Sequence, residues 1–354
     1  MLLKKHSIIA VFILTILASC SKDEIVDNSE GNPTNEVKTE FRIDSKQQFI
    51  NFVVPPAEYQ NFLNDKIDYK KYTQKVYKSL QDDFDFILFV TPETESPKGV
   101  PYVGINHPIQ NEVKGIAKQI FNNSNSYDSN GKLKSVLYMP KMSSIENGPL
   151  LHEICHNWAN FDFLETTVPH HWGYSSVGGN LGGFDKTSNV SGNTYKGTVT
   201  YKNPNSSNFG KERPFGTVAN GGNGSPFSIL ELYLMGLAEA NELKDIQVAV
   251  NPKPVPNEYG SFTADGFKTV TPAELVKKHG VREPSYANSQ KEFKMLVVAV
   301  SNKEMTEEEN ALLDKIITSF TRKGEPDKNY LFNFWTGSMK RASVSSDKIK
   351  ESLK

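Results

Sequence analysis

Cysteine is scarce in this sequence, and neither sign of charge predominates. Only Cys20 and Cys155 occur in 354 residues, so a disulfide framework is excluded and stability must come from core packing, with or without a bound metal. The formal net charge is −1, which argues against nucleic acid as a partner because surfaces that bind it are strongly basic. No internal repeat is evident along the chain.

Long apolar runs are also lacking. The run Ile8–Leu17 follows Lys4 and Lys5 and stops at small residues before Cys20. A bilayer-spanning helix needs about 20 apolar residues, so the run favours a signal peptide over a transmembrane anchor. The segment Leu-Ala-Ser-Cys at 17–20 resembles the lipobox of bacterial lipoproteins. This resemblance implies cleavage before Cys20 and lipidation of Cys20, which would leave no internal disulfide.

The N-terminal part is therefore predicted to be a leader and an anchor. Residues 1–19 are assigned to the signal peptide, and residues 20–40 to the lipidated cysteine and a disordered tether that is poor in apolar residues. The polar residues 21–24 are similar to short charged signals that send some lipoproteins to the outer surface. The alternative is that they form only a solvated tether. We expect an exported bacterial lipoprotein of the outer membrane, exposed on the cell surface.

Hydrophobic patterning predicts a mixed fold for residues 41–354, which can form one large domain or two lobes that share a cleft. Helical spacing, apolar runs and Pro at an early helix position give the following elements: helices at Tyr69–Leu80 and Pro149–Asn160, and strands at Phe84–Val90, Tyr102–Ile105, Leu133–Tyr138 and Phe293–Val300. Capping-box patterns predict further helix starts at Thr271 and Thr306.

The stretch from Trp172 to Ser225 is rich in Gly, Asn and Ser, with a predicted hairpin at Tyr195–Tyr201. A stretch this long without a helix inside a compact domain is either disordered or a functional surface. Helices are predicted to resume at Ser228.

The motif His-Glu-Ile-Cys-His at residues 152–156 carries the chemistry. On a helix, His152 and His156 project from one face about one turn apart, so they can bind one zinc ion. Catalytic zinc sites keep three protein ligands and a water, and Glu153 is placed to act as the general base. A random chain of this composition would contain about 0.01 copies of the motif, so chance is a poor explanation.

Gly148–Leu151 followed by HEICHNWANF resembles the active-site helix of zincin metallopeptidases. The blocks His171–Gly173 and 228–237 resemble segments of poorly characterised exported bacterial members. The resemblance covers about residues 84–237 and implies a zincin-like α+β fold. Its upper lobe would span about residues 41–160 and its lower lobe about residues 161–354, with the active-site helix at their junction. It also implies Zn²⁺ as cofactor and a peptide or protein as substrate.

The sequence departs from two zincin patterns. Metzincins have a third His shortly after the motif, and none follows His156 closely here. The Asn-Glu-xx-Ser-Asp helix of thermolysin-like enzymes is also missing. The third zinc ligand is predicted to be His171. Pro169 biases Val168 to an extended conformation that can return the chain to the metal, and His171, unlike His170, belongs to the His-Trp-Gly block that the resemblance singles out. His170 would then stabilise the oxyanion or face solvent.

Glu231 is the main alternative as third ligand, because zinc sites of the His₂Glu type are known. However, Ser228 and Glu231 have the spacing of a capping box, which gives Glu231 a local task. Three weaker candidates lie in the polar loops: Asp162, Glu165 and Asp185.

The predicted function is zinc-dependent peptide-bond hydrolysis by an endopeptidase. Two alternatives remain: a surface-exposed binding protein with a structural or inactive zinc site, and a zinc hydrolase of a non-peptide amide or ester. The strand Leu133–Tyr138 could offer an unpaired edge to an extended substrate, unless both of its edges are covered. Cys155 is predicted to be a buried structural thiol, and core positions are expected at Trp158, Phe161 and Phe163.

Overall fold

The structure is a computed structural model that describes residues 40–46, 48–159, 161–325 and 331–354. The predicted signal peptide, Cys20 and nearly all of the predicted tether lie outside the described residues. Within the described ranges, no helix is both long and apolar enough to cross a membrane.

Sixteen strands are present in the described residues. In chain order they are β1 (Glu40–Ile43), β2 (Phe49–Val53), β3 (Phe86–Val90), β4 (Ile105–Pro108), β5 (Gln110–Asn111), β6 (Phe121–Asn122), β7 (Ser135–Met139), β8 (Lys186–Ser191), β9 (Thr194–Thr200), β10 (Glu212–Pro214), β11 (Ile246–Ala249), β12 (Lys253–Pro254), β13 (Ser261–Thr263), β14 (Phe267–Val270), β15 (Glu292–Ser301) and β16 (Ser343–Ser345).

The same part of the chain contains eight α-helices. They are α1 (Pro56–Leu63), α2 (Tyr69–Ser79), α3 (Ser143–Glu146), α4 (Leu150–Cys155), α5 (Ile229–Met235), α6 (Pro272–His279), α7 (Glu307–Thr321) and α8 (Phe334–Gly337). Helices and strands are thus interspersed along the chain. The fold is mixed α/β, compatible with the predicted α+β class.

The largest sheet has seven strands, in the order β1-β2-β15-β3-β7-β4, and β16 pairs with one end of β15. β2, β15, β3 and β7 are parallel to one another, while β1 and β4 are antiparallel to their neighbours. The interior strands are buried on both faces, which explains why β3 and β15 are almost continuous apolar runs in the sequence.

Alternate residues of the strands enter two separate hydrophobic clusters. In β3, Leu88 faces the first cluster and Ile87 faces the second. The first cluster contains α4, α5 and α7 and surrounds the HExxH helix. The second contains α1 and α2 on the opposite face. The sheet therefore lies between two helical layers, and only one of them carries the candidate site.

Five short strands form a second sheet, with the order β10-β9-β13-β12 and β8 paired to β9. It has its own small core of aromatic residues, centred on Phe184, Phe215 and Phe262. Three of its strands, β8, β9 and β10, come from the stretch rich in Gly, Asn and Ser, so that stretch contains regular structure, while β12 and β13 follow it in the chain. The hairpin predicted around Tyr195–Tyr201 is present but begins earlier, because these residues lie mainly in β9 and its hairpin partner β8 precedes them.

Most of the other predicted elements are confirmed within a few residues. The predicted capping boxes are present at the starts of α6 and α7, with Thr271 and Thr306 as N-caps. The strand predicted at Tyr102–Ile105 begins only at Ile105. The large sheet takes strands from both sides of residue 160, because its central strand β15 comes from the C-terminal third of the chain.

Candidate metal centre

The motif lies on α4, which is shorter than the predicted helix Pro149–Asn160. Its N-cap, Pro149, provides no side-chain hydrogen bond. Asn223 caps it instead: its Oδ1 accepts from Leu151 N at 3.1 Å, and its Nδ2 donates to the carbonyl of Ile145 at 2.8 Å. Because His156 N still donates to His152 O at 3.3 Å, the two histidines keep helical spacing although α4 ends at Cys155.

Three imidazoles converge at this helix: His152, His156 and His171. The Nε2 atom of His152 lies 3.1 Å from that of His156 and 3.4 Å from that of His171. Ligands held about 2.0–2.1 Å from a tetrahedral zinc ion are separated by about 3.3 Å. These two separations are therefore compatible with a shared tetrahedral ion, and one ligand atom from each of the three rings lies within 4.8 Å of the others. Among the described residues, this is the group of His, Cys, Asp or Glu side chains whose geometry suits a metal.

Each imidazole is oriented by a backbone carbonyl. The Nδ1 atoms of the three rings lie 3.3 Å from Asn180 O, 3.1 Å from Ala159 O and 2.7 Å from Pro169 O, in the order His152, His156 and His171. A carbonyl oxygen can only accept, so each Nδ1 carries the proton and each Nε2 keeps its lone pair. This pattern is typical of metal-binding histidines, whose other ring nitrogen is fixed by a hydrogen bond.

The electrostatics of the cluster favour neutral rings. Burial lowers the pKa of His152 to about 3, helped by the neighbouring His171. Burial also lowers the pKa of His156 well below its usual value, and that of His171 in the same direction. A neutral imidazole is the form that binds a metal, so the apo-protein already holds its three rings in the state required.

Glu153 follows His152 on the same helix and is buried, with 8% of its surface exposed. Burial raises the pKa of its carboxyl group to about 8, with a smaller opposing effect from the backbone of Asn106. Asn106, on β4, also donates from Nδ2 to the carbonyl oxygen of Glu153 at 2.5 Å. The edge strand is thereby connected to the HExxH helix at the residue predicted to act as base.

Glu231, the alternative third ligand, lies outside the cluster of imidazoles. It is fully buried, and its carboxylate accepts four hydrogen bonds from other groups of the protein. The capping box predicted for Ser228 and Glu231 is present at the start of α5. With four donors, the carboxylate has no lone pair left over for a metal.

The other candidates are also placed away from the cluster. Asp162 is exposed, and Glu165 is exposed and forms an ion pair with Lys278. Asp185 accepts from Thr200 N and from the ammonium group of Lys202, each at 2.9 Å. His170 is exposed, and its ring lies 5.8 Å from that of Phe161.

The core predictions near the motif are mostly confirmed. Cys155 is a free thiol with no exposed surface, and Trp158 and Phe163 are buried. Phe161 is an exception, because it is only half-buried and its ring lies under the ammonium group of Lys118, 4.4 Å from it.

The strand that the sequence suggested as a free edge for substrate has no free edge. β7, which corresponds to the predicted strand Leu133–Tyr138, pairs with β3 on one side and β4 on the other. Both of its edges are covered, so it offers none to a peptide. Next to β7, the sheet ends at β4, and its other end is β1.

Three asparagines of the site were not singled out from the sequence: Asn106, Asn180 and Asn223. Each acts on a residue 28 to 72 positions away, namely Glu153, His152 and Leu151. Asparagine is frequent in this chain, and no local pattern distinguishes these three from the exposed ones.

Comparison of the chain with protein-family models, with curated proteins and with solved structures found no match.

Proposed function

We propose that this protein is a zinc-dependent peptidase with a zincin-like arrangement, in which the large sheet packs against the HExxH helix. The main support is the arrangement of His152, His156 and His171, whose Nε2 atoms converge while their Nδ1 atoms are bound to carbonyls. A buried glutamate next to these ligands adds the general base that hydrolysis requires.

Zinc bound at this site would polarise a substrate carbonyl and lower the pKa of a water molecule to about 7. His152, His156 and His171 would hold the ion through Nε2, with their rings neutral. Glu153 takes the proton from the attacking water and then delivers it to the leaving amine. Burial raises the pKa of this carboxyl group to about 8, within about one unit of pH 7, so both of its protonation states are accessible there.

The substrate in this proposal is a peptide or protein that binds in an extended conformation along β4. An edge strand supplies main-chain hydrogen bonds that do not depend on substrate sequence. β4 also contains Asn106, whose side chain is bound to the backbone of Glu153. A peptide paired with β4 would therefore lie alongside the proposed base.

The substitution Glu153→Gln tests the catalytic assignment. The amide keeps the size of the side chain but cannot act as a base, so we expect hydrolysis to fall by about 10²- to 10⁴-fold with zinc content unchanged. Cleavage of a mixed peptide library and metal content by mass spectrometry are measured on the same samples. Activity close to that of the wild type would contradict the role of Glu153.

The same measurements separate the two alternative functions. Zinc without cleavage of any peptide would favour a binding protein with a structural site. Zinc with hydrolysis of esters or non-peptide amides alone would favour another class of hydrolase. No observation on the site favours either alternative over a peptidase.

We also propose that the protein is an outer-membrane lipoprotein anchored through Cys20 and exposed at the cell surface. The support is the short apolar run and the resemblance of residues 17–20 to a lipobox. Cys20→Ala should abolish incorporation of labelled fatty acid and release the protein from the membrane fraction. Labelling of the variant would contradict the proposal.

A further inference from the structure

Three of the four hydrogen bonds to the Glu231 carboxylate come from outside its own helix. Oε1 accepts from the indole of Trp172 and from Leu181 N, each at 2.8 Å. Oε2 accepts from Asn180 N at 3.0 Å and from Ser228 N at 2.6 Å. Only the last of these bonds belongs to the capping box, so capping α5 does not explain the other three hydrogen bonds of the carboxylate.

The peptide group between Asn180 and Leu181 is bound at both ends. Its N–H, on Leu181, donates to Oε1 of Glu231 at 2.8 Å. Its carbonyl oxygen, on Asn180, accepts from Nδ1 of His152 at 3.3 Å. A single planar peptide unit therefore connects the buried carboxylate to a proposed zinc ligand. Because hydrogen bonds in such a chain polarise one another, the carboxylate makes the carbonyl a stronger acceptor for the imidazole.

Trp172 extends the connection towards a second imidazole. It directly follows His171, is fully buried, and donates its indole N–H to Glu231. Its backbone N also donates to Leu181 O at 3.0 Å. The carboxylate of Glu231 thus holds both Asn180, whose carbonyl contacts His152, and Trp172, which follows His171 in the chain.

We propose that Glu231 is a positioning residue of the metal centre, which orients and polarises His152 through the Asn180–Leu181 peptide group and fixes the segment that carries His171. This inference rests on the proposed zinc site. It extends the usual arrangement, in which a carboxylate contacts the metal-binding imidazole directly, by one intervening peptide group.

Glu231→Gln tests this relay, the hydrogen-bonded connection from Glu231 through the Asn180–Leu181 peptide group to His152. Whichever way the amide points, its NH₂ group faces two N–H donors and cannot accept from them. Loss of such partners typically weakens metal binding by about 10- to 100-fold. We expect this loss in a competition assay against a chromogenic zinc chelator. In protein loaded with Co²⁺, we also expect a changed visible absorption spectrum, which a mere loss of folding stability would not produce.

Ser228→Ala is the matched control. It removes the hydroxyl that accepts from Glu231 N at 3.2 Å and so breaks the capping box, but its backbone N–H still reaches the carboxylate. If Glu231 only capped α5, both variants would affect zinc in the same way. The proposal predicts that Ser228→Ala keeps the wild-type zinc affinity and Co²⁺ spectrum despite a loss of folding stability.

Gly179→Ala provides a second perturbation in case Glu231→Gln does not fold. A Cβ atom at this position would clash with the carboxylate of Glu231 and displace it, while every hydrogen-bonding group stays present. We expect weaker zinc binding here too. Wild-type zinc affinity and Co²⁺ spectrum in a variant that displaces or replaces the carboxylate would overturn the relay. A wild-type protein that binds no zinc would instead contradict the proposed function.

Discussion

The large sheet and the polar segment that supports the metal centre are stabilised in different ways. The sheet is held by apolar side chains, with residues such as Ile87 and Leu88 fully buried on its two faces. The polar segment, residues 171–231, has apolar contacts of its own, but around the candidate site it is also held by directional hydrogen bonds of buried polar groups. Asn220, for example, donates to the carbonyls of Gly179 and Gly183 and accepts from Gly216 N.

This difference corresponds to what each region has to do. Apolar packing is non-directional and tolerates changes of side chain provided that volume is kept. Hydrogen bonds fix both distance and angle, and three imidazoles must be placed within a few tenths of an ångström to share one ion. We therefore expect damage to the sheet to lower stability alone, and damage to the polar segment to lower zinc affinity as well.

A large loss of stability, and of stability alone, is expected from Ile87→Ala. Ile87 belongs to the hydrophobic cluster on the face of the sheet away from the site. Removing its side chain should lower the free energy of unfolding by about 2–5 kcal/mol, and Ile87→Val by about 0.5–1.5 kcal/mol. Denaturant titration measures both losses. Zinc affinity of the folded variants should be unchanged, and a parallel loss of affinity would show that the two regions are not separable.

A loss of both stability and zinc affinity is expected from Asn223→Ala. This substitution removes the cap of Leu151 N and leaves the carbonyls of Ile145 and Glu146 without their side-chain donor. Each buried group left unpaired typically costs about 1–3 kcal/mol in the free energy of unfolding. Because the first turn of α4 carries His152, the zinc affinity of Asn223→Ala should be lower than that of Ile87→Ala. Equal affinities in the two variants would break the comparison.

The sequence predicted the sheet better than it predicted the surroundings of the site. The apolar runs that became β3 and β15 were recognisable because burial on both faces leaves a local signal. The spacing of His152 and His156 is also local. In contrast, the contact between Asn180 and His152 spans 28 residues, and its existence depends on how the chain returns rather than on any pattern in the sequence.

Two features of the site were not recognisable in the sequence, for the same reason. β7 was expected to offer a free edge because the sequence does not reveal that β4 pairs with it in the antiparallel direction. Glu231 was assigned a local capping role, which it has, but three of its four hydrogen bonds come from residues 50 to 59 positions earlier. Local patterns predict the first partner of a side chain and not the remaining ones.

The central claim is that three particular imidazoles hold one zinc ion, and the adjacent pair His170 and His171 tests it most directly. His171 lies 3.4 Å from His152 between Nε2 atoms, whereas His170 is exposed and has a φ of 60°. Asn tolerates that backbone conformation, so His170→Asn and His171→Asn form a matched pair. Bound zinc per chain, measured at a fixed free zinc concentration, should stay at the wild-type level in His170→Asn and be largely lost in His171→Asn. Equal zinc content in both variants, or loss only in His170→Asn, would contradict the proposed metal centre.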